Sequence, residues 1–248
     1  MISPDFESDA GGRALLLDSD RSISVMVNEE DHLRVQAITP GWSIDRASQL
    51  STQCLAEIQD NSVFAWNETF GYLTASPFNA GFGRRMSAMF HLIGLAQAKR
   101  LPSVLRALAS QGLTARGLFG ESSRATGAFV QISVVGASTS DFVGACDYLL
   151  HEERDARDAV DDTALADKTD RALHFAMRSK TVTLADALRV LAWVRWASVR
   201  NLSAYALPGR QVDHYLTILE LRSGKDDERS ARHRAEFLRS SLQNLAAV

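Results

Sequence analysis

The segment SISVMVNEEDHLRVQAIT (residues 22–39) decides how the chain is read. Two alternating, β-prone runs, 22–28 and 33–39, flank a block in which Glu29, Glu30, Asp31 and His32 stand side by side, with Arg34 just beyond. Alternation with a period of two sends successive side chains to opposite faces of a strand, so the charges fall where one strand gives way to the next. A solvated turn is the simplest account of such a cluster, and a reactive site is the other. As metal ligands the four residues fit poorly, because consecutive side chains point in different directions and seldom converge on one ion.

Outward from this hairpin, the first half of the chain alternates short β-prone runs with helical spacing. Strands are expected at 13–18, 22–28, 33–39, near 63–66 and 72–75, and at 113–119 and 127–135. Residues 43–59 and 85–100 space their apolar positions as helices do. After Thr139 helices dominate, with Thr139, Thr183 and Asp213 expected as N-caps and a charged amphipathic helix over 226–245. The pattern predicts an α+β fold: a mainly antiparallel sheet flanked by helices, with a helical C-terminal part. The expected division is 1–138 and 139–248, or one continuous domain to about residue 175 followed by a helical one.

Composition narrows the function. With 46% apolar and 23% charged residues and a net charge of −3, the chain of 248 residues reads as an ordinary globular protein. That balance argues against general binding to nucleic acid or a membrane surface. The first twelve residues are acidic and polar, with no apolar run of the kind a secretory signal needs. Cys54 and Cys146 stand apart in no metal-type or paired spacing, which predicts a reducing, cytoplasmic setting and two buried small hydrophobes. His91 on an apolar segment, and Trp193 and Trp196 among leucines and valines, read as core.

The string NEEDHLRVQ (28–36) resembles the signature of the ATP:guanido phosphotransferases, in particular the bacterial protein-arginine kinases. Further segments follow in the same order. GYLTASPFNAGFGRRMSAMFHL (71–92) is similar to the family's GYLTxCPTNxGTGLRASVMxHL, and ARGLFGESSRATGAFVQIS (115–133) is similar to VRGxYGEGSEAxGNxxQIS. The residues EERDARDAV (152–160) and VLAWVRWASVRNLS (190–203) fit the helical part of the same enzymes. The resemblance implies the guanido kinase catalytic fold, related to glutamine synthetase, and transfer of a phosphoryl group from MgATP to arginine side chains of proteins.

The residue types suit that chemistry. A guanidinium is protonated and delocalised, so a carboxylate must orient its planar fork and take a proton. The resemblance gives the base role to Glu30, a water-mediated contact with magnesium to Glu29, and the second substrate carboxylate to Glu121. It expects no protein-built metal site, the nucleotide phosphates holding most of the magnesium. Arg34, Arg85 and Arg116 fall on its phosphate-binding positions, where a rigid, always charged fork binds bidentately. Ser76, Phe78 and Asn79 fall in its substrate pocket, and Gly81 and Gly83 would let the backbone approach phosphate. Arg84 and Arg124 have no counterpart and read as surface arginines. The resemblance leaves open a homodimer or an activator subunit.

Several positions depart from the pattern. Ser76 replaces the family's reactive cysteine, Phe78 and Phe82 replace threonines and are expected to narrow the substrate entrance, and Arg124 replaces a glutamate. No stretch matches the SSRxRLARN segment that precedes this region in relatives, and Ser230 stands where the C-terminal phosphoarginine-docking motif has aspartate. These departures keep a second class in view: an inactive relative of the kinases that serves as a binding or regulatory subunit.

Overall fold

The computed structural model describes residues 11–60, 62–118, 125–207, 209–219 and 228–245. Two compact units divide it, residues 1–84 and 85–248. In the first, β1 (Ala14–Leu17), β2 (Ile23–Val27) and β3 (Leu33–Ala37) form an antiparallel meander in that order. Asp18 turns the chain between β1 and β2: its carboxylate accepts the Ser22 hydroxyl at 2.6 Å and the Ile23 amide at 2.9 Å. Those two bonds hold its carboxyl below the usual range, the Ser22 bond contributing most. Helix α1 (Ile44–Gln59) packs on β3, and the strands β4 (Trp66–Asn67) and β5 (Gly71–Tyr72) pair as a short hairpin. Among the described residues of this unit, only Met26 is a buried apolar side chain.

The second unit carries the large core. Strand β6 (Arg85–His91) pairs antiparallel with β8 (Phe129–Val135), and β8 with β7 (Thr114–Gly117), giving the order β6-β8-β7. Apolar spacing predicts a helix over 85–100; instead its first seven residues are a strand, followed by the short helix α2 (Ile93–Gln97). Met86, Met89, Phe90 and Ile93 fit a helical period while Met86, Ala88 and Phe90 fit a period of two, and seven cross-strand pairs with β8 settle the choice. Helix α3 (Leu101–Ala109) then packs on β7 and buries Leu101, Val104 and Leu108.

Helices α4 (Thr139–Asp158), α5 (Asp162–Arg178), α6 (Leu184–Val199), α7 (Gly209–Ile218) and α8 (Glu228–Leu242) follow. Thr183 caps α6 as expected, accepting the Asp186 amide at 3.1 Å. Two expected caps shift. Ser138, one residue earlier than Thr139, accepts the Asp141 amide and caps α4. Asp213 lies inside α7, where its carboxylate is bound by Arg195 at 2.6 Å; an ion pair, not a cap, explains it. Helix α6 is apolar on nearly every side and packs against α5, α7, α8 and the turn at 126–128. Trp196, in its last turn, is buried and stacked on the partly exposed Trp193. Cys146 is fully buried, whereas Cys54 is only partly so.

A buried polar cluster fastens the sheet to these helices. Glu153, on α4, accepts the amides of Gly94 and Leu95 at 2.9 Å each and the Arg157 Nε at 2.6 Å. Arg157 donates in turn to the His91 carbonyl at 2.8 Å, and lies over the Trp196 ring. The helices meet so closely that a Cβ on Gly94 would stand 2.8 Å from the Arg157 side chain and 2.9 Å from its amide. His91 stacks on Phe129, and its Nδ1 faces guanidinium nitrogens of Arg157 at 3.3 Å and Arg195 at 3.4 Å. Two donors at Nδ1 assign the ring proton of neutral His91 to Nε2.

Burial first, then the charges of Arg157 and Arg195, hold His91 well below its ordinary value, against a weaker pull from the Gly127 carbonyl. A folded state that keeps this ring neutral loses stability where the unfolded chain takes up the proton, that is, as pH falls below about 6.5. The thermal midpoint should therefore drop between pH 7 and pH 5. In His91→Asn, which keeps an acceptor but cannot titrate, that drop should be smaller; an unchanged slope in calorimetry would remove His91 as its source.

Candidate active site

In the first unit the acidic block forms the five-residue reversal 28–32 between β2 and β3, closed by the Asn28 amide donating to the His32 carbonyl at 3.0 Å. Asn28 adopts a left-handed backbone (φ 53°), which a short polar side chain tolerates. Its side chain and carbonyl are tied to Gly12 and Arg13 at 2.9 and 3.1 Å. Glu29 is the better shielded carboxylate: it accepts the Glu30 amide at 3.0 Å and faces the half-exposed Arg34 guanidinium at 3.6 Å. Glu30 is exposed. At the reversal, then, one carboxylate is held in place while its neighbour is open to a ligand.

Ser76, Phe78 and Asn79 lie on a loop whose base is closed by Tyr72 and Gly81, each amide donating to the other's carbonyl at 2.9 and 3.0 Å. The backbones come so close there that a Cβ on Gly71 (φ +71°) would fall 2.5 Å from the Gly81 carbonyl oxygen. Glycine is needed at 71 on both counts. Within the loop, Pro77–Asn79 make a 3₁₀ turn and the Ser76 carbonyl accepts from the Thr74 hydroxyl at 2.6 Å and the Asn79 amide at 3.0 Å. Asp31 reaches across: its Oδ1 accepts the Ser76 amide at 2.9 Å and its Oδ2 the Asn79 side-chain amide at 2.7 Å. Phe78 and Phe82 stand in solvent, 97% and 73% exposed. Arg84 binds the Ser48 hydroxyl on the surface at 2.9 Å.

The second unit positions the other arginines. Directly paired residues share a face, and the pairs Arg85–Val135, Ser87–Ser133, Thr114–Ser133 and Arg116–Gln131 therefore set Arg85 and Arg116 on one side of the β6-β8-β7 sheet. That side is exposed at Arg85, Ser87, Thr114 and Arg116, while Met86, Phe90, Val130, Ile132 and Val134 are buried on the other. The Arg85 guanidinium donates to the buried Ser133 hydroxyl at 2.8 Å. Glu121 and Arg124 lie outside the described residues. Among the described residues no three His, Cys, Asp or Glu side chains gather into a metal site.

Sequence reasoning passed over three contributors. Asp31 lay within the quoted motif but its partners are 45 and 48 residues away, a distance that local pattern cannot bridge. Ser133, which holds Arg85, gave no signal by itself. The Glu153–Arg157 pair did leave a trace, since acid and base four apart share a helix face.

Residues 1–137 match the family described as ATP:guanido phosphotransferase, C-terminal catalytic domain. A protein-arginine kinase of Brevibacillus brevis is 32% identical over 260 aligned positions, which cover 98% of this chain and 72% of that one. That of Moorella thermoacetica is 32% identical, with 98% and 74% covered. That of Clostridium acetobutylicum is 37% identical over 192 positions, 73% of this chain and 56% of its own. Among solved structures, lombricine kinase is similar at 26% identity with a TM-score of 0.50, over 57% of this chain and 42% of that one. The chain belongs to the ATP:guanido phosphotransferase family, and its fold is the α+β fold of that family.

With serine at position 76, the remaining thiols are those of Cys54 and Cys146. Burial, then the charge of Glu57, pushes Cys54 up, and burial with Asp147 pushes Cys146 up to about 12. Because the thiolate is the reactive form, iodoacetamide at pH 8 should label neither residue quickly in the folded protein and both in urea. Mass spectrometry showing rapid labelling of the native chain would contradict these environments.

Proposed function

We propose that this chain is a protein-arginine kinase, moving the γ-phosphoryl group of MgATP to a guanidinium nitrogen of arginine in cytoplasmic protein substrates. The observation that carries the reading is identity of about a third with protein-arginine kinases along 98% of this chain, together with retention of Glu29, Glu30, Arg34, Arg85, Arg116 and Glu121. Among the described residues no helix is long and apolar enough to cross a membrane.

On this reading Glu30, open to ligand at the tip of the β2–β3 reversal, orients the substrate guanidinium and takes its proton as the nitrogen attacks. A P–N bond forms, the bond from the γ-phosphorus to the bridging oxygen breaks, and ADP leaves. Glu121 is the second carboxylate for the substrate. Glu29, steadied by the Glu30 amide and by Arg34, would meet magnesium through water, the ion coming with the nucleotide as part of the substrate. Arg34, Arg85 and Arg116 neutralise phosphate charge, and the Ser133 bond holds Arg85 ready for it, the kind of preorganised electrostatics on which phosphoryl transfer relies. Ser76, Phe78 and Asn79 border the substrate. A hydroxyl at position 76 can hydrogen-bond the guanidinium but brings no negative charge.

Two experiments test this reading. Wild type supplied with MgATP and an arginine-rich protein should form acid-labile, base-stable phosphoarginine. Glu30→Gln keeps the shape of the side chain and removes the base, so the rate should fall by roughly 10²–10⁴-fold with the fold intact. Equal rates would remove Glu30 from the chemistry. In the double variant Phe78→Thr with Phe82→Thr, turnover or nucleotide affinity should rise; because both rings are exposed, stability should change little.

A further inference from the structure

Asp31 carries the one carboxylate of the acidic block that is spent on a distant part of the chain. Its two oxygens take two different donors, the Ser76 backbone amide at 2.9 Å and the Asn79 side-chain amide at 2.7 Å. Both donors sit on the loop closed by the Tyr72–Gly81 bridge, and that loop is fastened internally by the bonds to the Ser76 carbonyl. The other end of the connection is equally constrained, because Asp31 lies inside the five-residue reversal closed from Asn28 to His32. A rigid turn and a self-fastened loop are therefore joined through one side chain with both oxygens engaged, and charged acceptors make the stronger hydrogen bonds.

We propose that Asp31 is a positioning residue: it clamps the Glu29–Glu30 reversal to the 74–79 loop, so that Ser76 and Asn79 keep a set place relative to the carboxylates beside them. The proposal rests on the reading of Glu30 as the base, since the clamp matters to turnover only if that reversal does chemistry. Its action is geometric. The charge of Asp31 is used on the loop, not on substrate or nucleotide.

Geometry and charge can be separated. Asp31→Ala removes both bonds. Asp31→Asn can keep both: its oxygen still accepts the Ser76 amide, and its amide donates to Asn79 once that side chain turns its oxygen inward. Asn79→Ala removes one bond without touching the reversal. If the clamp holds the site, kcat for phosphoarginine formation should fall about 10²-fold in Asp31→Ala, the scale expected for misplacement by an ångström, while Asp31→Asn stays near wild type. KM for MgATP should move much less than kcat. The pair Asp31→Ala with Asn79→Ala should be little worse than Asp31→Ala by itself, because both substitutions break one connection.

Asp31→Asn as impaired as Asp31→Ala would overturn the proposal in favour of a charge role. Losses that multiply in the double variant would overturn it in favour of an independent role for Asn79. Amide hydrogen exchange at Ser76 gives a readout free of catalysis: it should be slow in wild type and Asp31→Asn and fast in Asp31→Ala. If Asp31→Ala fails to fold, Asn79→Ala carries the test, with an intermediate loss of kcat expected and an unchanged kcat overturning the clamp. A wild type that makes no phosphoarginine would sink the kinase reading, and the exchange rate at Ser76 would then decide the clamp by itself.

Discussion

A carboxylate shut away from water must find donors for its oxygens or give up its charge. Glu153 finds three: the amides of Gly94 and Leu95, which open the short helix α2, and the guanidinium of Arg157 one turn along its own helix. Arg157 is then committed to the end of β6 through the His91 carbonyl, and its face is covered by Trp196 of α6. Arg195, also on α6, meets the His91 ring and pairs with Asp213 on α7. Because desolvating such charges costs several kcal/mol per ion, the arrangement tolerates little slippage. It sets where α4, α6 and α7 lie against the end of the strand that carries Arg85.

The two units meet the same needs by different means. The second has an apolar core built around α6 and can hold polar groups inside it. The first has a single buried apolar side chain among its described residues, and relies on turn chemistry and hydrogen bonds between loops. Asp18 at one reversal, Asn28 at the next, the Tyr72–Gly81 bridge and the Asp31 contacts are all of this kind. Such bonds contribute modestly one by one. Their use here is to fix the direction of the turns and loops they close.

Membership of the guanido phosphotransferases puts the departures from the family pattern in physical terms. Serine at position 76 replaces a thiol at a residue whose backbone amide and carbonyl are engaged by Asp31, Thr74 and Asn79, so these bonds do not depend on that side chain. Phe78 and Phe82 are largely exposed, so their rings add little to the stability of the first unit.

The β2–β3 hairpin, the acidic reversal, the strands from 114 and 129, the Thr183 cap and the helical second half were all legible in the sequence, because each depends on residues within a few positions of one another. Glu29, Glu30, Arg34, Arg85 and Arg116 could be named as candidates because they fall in short segments that follow the family's order. Segment 85–91 could not be decided that way, since Met86, Met89 and Phe90 suit a helix, Met86, Ala88 and Phe90 suit a strand, and only pairing with β8 chose. The cap expected at Asp213 failed on a partner eighteen residues back, Arg195. Asp31, Ser133 and Glu153 acquired their roles from groups 45 to 59 positions away. Local chemistry writes turns, caps and motifs into the chain; which distant donor a carboxylate or hydroxyl will meet is decided only when packing brings the two within three ångströms, about the length of a hydrogen bond.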